Sequence, residues 1–409
     1  MSGSLRPARS SSERAGLGRR RTETVRLWTR GFVTVLGVNL LLSVVFYLLI
    51  TSLAVYAADR FAADDILAGL ASSAYILGAV GSRLTASAFV DRVGARRLFL
   101  FGAAAFVAAS GLYLVVNDLW LLILVRLAHG LAFGITHSAV GGLAQARIPT
   151  RRRGEGTGYF AMAGTVGAGI GPLLAVMLLR FDGFSVLFLA TTAVSLTALL
   201  VGLTIPRLPA DAPRTVRAST RIPVLVRPVL PIGWVALLQS LGYASLTAFL
   251  TEYSIDVGSP ASAGWFFLLY AGCVIVVRLF AGRVYDRFGT DLVVYPGLAL
   301  YLGGLILLAF PPGTGTILAA AVLIGIGYGA LLPAGLAIAA ERAGTDRPGG
   351  AFATYFMFVD LGYGLGPVIL GGVLGLWGWS AMFLAGAGAA ALAGVLYLLV
   401  QRGHRRAAD

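Results

Sequence analysis

The chain has 409 residues, 58% of them hydrophobic and only 12% charged, with a mean hydropathy of +0.85; soluble globular chains carry about 25% charged residues, so a soluble fold is excluded. The net charge of +14 rests on Arg alone, because no Lys occurs, and this removes a Walker-type phosphate loop and any Lys Schiff base. A single cysteine, Cys273, excludes disulfides and thiolate cages, and His129, His137 and His404 lack metal-ligand spacing; neither a metal nor a cofactor is expected.

In chain order, residues 1–30 are rich in Arg and have no apolar core before the first long apolar run. They read as a disordered basic cytoplasmic tail, not a cleavable signal, attracted to anionic headgroups by about 1 kcal/mol per Arg. Apolar runs long enough to cross a bilayer then follow at 31–57, 66–90, 98–116, 119–143, 157–179 and 184–205. Residues 206–228 are crowded with Pro and Arg and have no apolar period, so they form a linker. Six further runs lie at 229–252, 261–284, 292–310, 314–340, 350–375 and 379–400, and residues 401–409 form a second cytoplasmic tail. The Arg clusters occupy the tails and alternate loops, with Arg60 and Arg180 on the opposite face. That is the positive-inside pattern. It predicts twelve crossings, both termini in the cytoplasm, and no nucleic-acid partner. The absence of Lys suggests a GC-rich prokaryotic gene, hence a plasma membrane.

The two sets of six runs repeat at one offset of 195 residues. Arg83 and Leu84 match Arg278 and Leu279; Asp91, Arg92 and Gly94 match Asp286, Arg287 and Gly289. Tyr75 matches Tyr270 and Gly134 matches Gly329, while Gly167, Gly171 and Pro172 match Gly362, Gly366 and Pro367. The fold class is therefore an all-α membrane protein of two pseudo-symmetric six-helix bundles, at 31–205 and 229–400, an architecture that places a site between its halves.

Two loops carry a recognisable pattern. After the second run comes Ser87 to Arg97, with Asp91, Arg92, Gly94, Arg96 and Arg97; after the eighth comes Gly282-Arg283-Val284-Tyr285-Asp286-Arg287-Phe288-Gly289. Both resemble the GxxxDRxGRR cytoplasmic loop of the major facilitator superfamily, with Ser87 replacing the first Gly and Asp291 standing where a base is usual. Arg126 to Gly130 resembles that family's RxxxG element. Gly167 to Pro172 resembles the GxxxGP motif of drug/proton antiporters, with Ala175 and Val176 in place of its closing Gly pair. The later copy, Gly362 to Pro367, then Gly371 and Gly372, lies closer to that pattern. The resemblance implies a secondary transporter working by alternating access, sufficient as a monomer, with the second span lying against the eleventh. It also implies a cytoplasmic gate in which Asp91 caps the start of the eleventh span. A plain surface pairing of Asp91 with Arg92, Arg96 or Arg97 is the alternative.

Four ionisable residues lie inside the apolar runs: Arg83, Arg126, Arg278 and Asp360. Each is costly in hydrocarbon and should face a partner. Asp360 lies about 15 Å from the cytoplasmic start of its helix, and Arg83 about 12 Å from the same surface, at ~1.5 Å per residue. With those helices adjacent, Arg83 and Asp360 are expected to pair across the two halves. The pair either couples transport to protons, through a carboxylate that charges and discharges, or is a permanent structural register. The place symmetric to Asp360 is Thr165, so Arg278 has no matching acid. Arg126 is assigned to the same polar network, with carbonyl-bonded packing as the alternative; His129 is expected to be packed. Glu155 reads as an ion-pair partner within its own Arg-rich loop. Asn39, Phe46, Tyr47, His137, Gln239, Tyr243 and Tyr328 are the candidate cavity residues, each with helix packing as its plain alternative. Trp120, Trp377 and Trp379 fit an interfacial belt.

The expected activity is proton-coupled export of small drug-like or metabolite molecules; the expected partners are a small-molecule substrate, protons and the bilayer. A proton-symport permease for a sugar or organic acid is the nearest alternative. A membrane-embedded enzyme lacks the required cluster of acids and His at one depth, so no enzyme is expected. A transport-dead sensor is the remaining alternative.

Overall fold

A computed structural model describes residues 26–63, 65–207, 225–310, 313–344 and 348–408. Most of the expected basic tail and most of the 206–228 linker lie outside the described residues. Among the described residues there are ten long helices: α1 Arg30–Phe61, α2 Asp65–Val93, α3 Ala95–Leu112, α4 Leu119–Arg147, α5 Arg153–Leu203, α6 Leu230–Asp256, α7 Ala261–Phe288, α8 Asp291–Ala309, α9 Thr314–Ala343 and α10 Pro348–Ala408.

The sequence predicts twelve separate helices, and the difference lies in α5 and α10. Each is two membrane spans joined without a loop, at Gly183 (φ 66°) and Gly378 (φ 77°). A single left-handed residue reverses the chain there, a conformation Gly adopts without the Cβ penalty. These glycines are themselves 195 residues apart. Ten stretches are long and apolar enough to cross a membrane. The second arm of α10 lies within the last of them. α2 is not among the ten, yet its 29 residues extend about 43 Å at ~1.5 Å each, enough to span. The fold thus has twelve spans. The last helix continues to Ala408, through the segment expected to be a tail.

Local chemistry sets the helix ends. Thr29 accepts from the Phe32 amide at 3.2 Å to cap α1, and Asp118 accepts from the Leu121 amide at 2.9 Å to cap α4. The C-terminal carbonyls of α5 are closed by Arg96, whose guanidinium donates to the carbonyls of Leu203 and Ile205 at 3.0 and 3.2 Å.

The two halves pack alike. In the first, α1 lies on α5 and α2 on α4; in the second, α6 lies on α10 and α7 on α9. Membrane helices gain little from hydrophobic exclusion and approach closely through small residues instead. A Cβ on Gly167 or Gly171 would collide with Ser43, Val44 or Tyr47 of α1. One on Gly362 or Gly366 would collide with Leu237, Ser240, Leu241 or Ala244 of α6. Likewise Gly130 meets the Tyr75 backbone, and a Cβ on its repeat partner Gly325 would sit 2.9 Å from the Tyr270 carbonyl. The outside is apolar: Trp120, Leu268, Val368 and Trp377 are among the most exposed side chains, as lipid contact demands. Trp379 instead donates to the Asp256 carboxylate at 2.9 Å.

Candidate functional site

The halves meet along two matching interfaces, α5 against α7 and α10 against α2, extended by α10 on α4 and α9 on α5. At the Arg-rich end, Asp286 on the last turn of α7 accepts from the amides of Gly154 and Glu155 at 2.7 and 2.9 Å. Those amides open α5, where unpaired N–H groups and the helix dipole favour a negative charge. Close approach is possible because Gly154 and Gly282 touch backbone to backbone: a Cβ on either would lie 2.6–2.7 Å from the other's carbonyl. The Glu155 carboxylate completes this end. It pairs with Arg152 at 2.6 Å and, across the halves, with Arg283 at 3.3 Å. Arg283 also donates to the Tyr159 hydroxyl at 3.2 Å.

The symmetric end around α2 is described in part. The side chains of Asp91 and Arg92 lie outside the described residues. Gly94 and Gly289 both turn the chain with positive φ, 88° and 89°. Arg96 is committed to the end of α5 within its own half, Arg97 is exposed, and Arg287 rests 5.1 Å over the Phe288 ring.

Deeper in the interface, Arg83 of α2 and Asp360 of α10 meet, Nε to Oδ2, at 3.0 Å. Arg83 is 1% exposed while the Asp360 side chain keeps 19%, so the acid is the less covered partner of the pair. Nη2 of Arg83 lies 3.3 Å from Nδ1 of His137. Arg only donates, so His137 accepts there and its ring proton sits on Nε2. The guanidinium also lies 5.3 Å from the Phe356 ring. Arg83 Nε and Nη1 have no aligned hydrogen-bond partner among the described residues. The pair is held by charge more than by directed bonds.

The other candidates distribute unevenly. His137 stacks on Phe133 and is edged by Phe352 and Phe356. It belongs to the Arg83 cluster. Arg126 is in a separate place: its Nε donates to the Ala71 carbonyl at 3.0 Å and its guanidinium stands 4.7 Å from the Tyr75 ring. His129 is fully buried between Ser110 and Tyr113. Asn39 ties α1 to α5 by donating to the Phe160 carbonyl at 2.9 Å. Phe46 packs with Tyr47, Tyr75 and Phe133. Gln239 is buried, and its backbone carbonyl accepts from Tyr301. Tyr243 and Tyr328 stack face to face at 4.3 Å, with Tyr270 and Tyr363 against them.

Glu155 makes the loop ion pair expected of it, with Arg152, and adds one to Arg283 that the sequence did not indicate; sequence reasoning missed the roles of Thr165, Phe352, Phe356, Tyr270 and Tyr363. A signal existed only for Thr165 and Tyr270, as repeat partners of Asp360 and Tyr75. The contacts concentrate near the Arg-rich end, so this conformation is closed on that side. An assembly of twin bundles closed by matched interfaces can open one end as it shuts the other.

The sequence profile of the Major Facilitator Superfamily matches residues 35–258 and again 232–409, once on each half. The chain belongs to this superfamily. An uncharacterised MFS-type transporter of Pseudomonas aeruginosa (strain LESB58) is 29% identical over 341 residues, covering 80% of this chain and 83% of the relative. One of Salmonella typhimurium is 26% identical over 365 residues, covering 86% and 92%. Among solved structures, the human organic anion transporter MFSD10 superposes with a TM-score of 0.78 at 18% identity, over 90% of this chain and 99% of its own. FucP in its outward conformation gives 0.75 at 14% identity, over 92% and 99%. At such identity the superpositions speak for the fold alone. As a member of this superfamily the protein is a multi-pass membrane transporter.

Proposed function

We propose that this transporter is a proton-coupled exporter of small drug-like or metabolite molecules. It would sit in the plasma membrane with both termini in the cytoplasm and act as a monomer by alternating access. The observation that carries the reading is the Arg83–Asp360 contact: the one acid inside the spans, only partly covered, holds a buried cation of the opposite half at 3.0 Å. Protonating Asp360 cancels that charge–charge attraction, and the interface then loses an ion pair that crosses the halves. Substrate released outward and a proton taken up there exchange occupancy of the same central region. His137, on the far side of Arg83, offers the guanidinium a second partner when the carboxylate is neutral.

The test uses inverted vesicles with an imposed pH gradient and a panel of apolar dyes. Wild type should accumulate a transported dye only with the gradient present, and Asp360→Asn should lose gradient-driven accumulation while retaining downhill exchange. Uphill accumulation by Asp360→Asn equal to wild type would refute coupling through this acid.

A further inference from the structure

The duplication repeats a contact but not its charge. Arg83 and Arg278 are repeat partners, as are Asp360 and Thr165, and the second couple meets as the first does. Arg278 Nη1 donates to the Thr165 hydroxyl and to the Ala161 carbonyl, the latter at 2.8 Å, and its Nε donates to the Gly329 carbonyl at 3.2 Å. Among the described residues no carboxylate stands within ion-pair distance of Arg278, and its Nη2 has no hydrogen-bond partner. Yet Arg278 is only 7% exposed. A cation this deep needs a partner, and where Arg83 has an acid Arg278 has only neutral oxygens.

Its surroundings are aromatic. Tyr47, Tyr270, Tyr328 and Tyr363 are the ionisable side chains that act on its charge. Tyr243 and Tyr328 stack, Tyr363 stands edge-on to Tyr243, and the Tyr328 hydroxyl bonds those of Ser240 and Tyr363. A guanidinium with an unused planar N–H edge suits a carboxylate, and parallel or edge-on tyrosines suit a ring.

Resting on the transporter reading above, we propose that Arg278 and Thr165 anchor an anion subsite whose ligand is a small aromatic carboxylate. The substrate thus supplies the acid missing from the second copy of the Arg83–Asp360 contact. Bound there, the anion ties α7 to α5 as Asp360 ties α10 to α2, so loading strengthens the same interface that must later open.

The test is binding, read apart from transport: thermal unfolding of the purified full-length protein in detergent. Benzoate, its neutral isostere benzamide, and chloride are compared at matched ionic strength. Benzoate should raise the unfolding temperature where benzamide and chloride do not. Arg278→Gln should lose the response. Thr165→Asp, which builds the internal pair without removing the cation, should weaken benzoate at least about tenfold and unfold no lower than wild type. Equal responses to benzoate and benzamide, or an undiminished benzoate response in Thr165→Asp, would overturn the proposal. So would stabilisation by chloride equal to that by benzoate, which would leave an inorganic anion site. Vesicle transport of other solutes would stand through any of those failures, so the two readings fail separately.

Discussion

Arg83 meets three kinds of neighbour at once: a carboxylate, an imidazole and an aromatic face. Removing one partner of a buried pair costs more than removing both, because the survivor keeps its desolvation penalty. Asp360→Asn should therefore destabilise the closed conformation by about 3 kcal/mol, the low end for a broken buried pair. Arg83→Gln combined with Asp360→Asn should recover most of that loss in detergent melting curves. Equal melting of the single and double variants would mean the charges do not interact. The sequence made this pair legible through depth, since helix rise places both groups at similar distances from one surface, taken with the family resemblance that sets the second span against the eleventh. Glu155 was not legible in the same way. Its cross-half partner Arg283 lies 128 positions away on another helix, and nothing in its own loop of three arginines singles out that distant one. Asn39 shows the converse: a polar residue in an apolar run invites a cavity reading, while the structure spends its amide on an interhelical bond.

Between elements, glycine spacing decides which helices touch and how closely. The Gly167 to Pro172 motif was legible as a packing stripe because glycines four apart share a helix face, although the sequence could not name the opposing helix. The structure separates its members. Gly167 and Gly171 press on α1, while Gly169 would have nothing within 4 Å of an added Cβ. Gly171→Val should thus lose folded yield on size-exclusion chromatography, consistent with an overpacking cost of about 1–3 kcal/mol, and Gly169→Ala should behave as wild type. The Gly154–Gly282 contact is a different case, because it joins moving halves. Gly282→Val should hold the Arg-rich end ajar without unfolding either bundle. In a Cys273→Ser background carrying Ala161→Cys, an impermeant maleimide should then label faster from that end. Gly264→Val, on the same helix but with nothing within 4 Å of its Cβ, serves as the control. Equal labelling in both variants would show that this contact does not set the closure.

At the scale of the whole molecule, hydropathy, the 195-residue offset and Arg placement carried most of the architecture. What they could not supply was the way the fifth and sixth spans, and the eleventh and twelfth, join. Too few polar residues separate each pair for a loop to stand out, and Gly183 and Gly378 matter only through a backbone angle. Those two reversals fix the parity of the fold. An unbroken helix of 51 residues, the length of α5, would extend about 77 Å at ~1.5 Å per residue, more than twice the ~30 Å hydrocarbon thickness. Both ends of α5 therefore return to one side, as the bonds from Arg96 and Arg147 to its C-terminal end require. The same holds for α10, whose Gln401 reaches Thr290 and Asp291 at the start of α8. Twelve crossings place the C-terminus on the side of the Arg-rich loops, the side that the function proposed above sets in the cytoplasm by the positive-inside rule. Green fluorescent protein fused after Arg402 should fluoresce and alkaline phosphatase there should be inactive, with the reverse for fusions after Ala62. An active phosphatase after Arg402, alongside a cytoplasmic N-terminus, would require an odd number of crossings. It would break the correspondence of α5 and α10 as repeat partners.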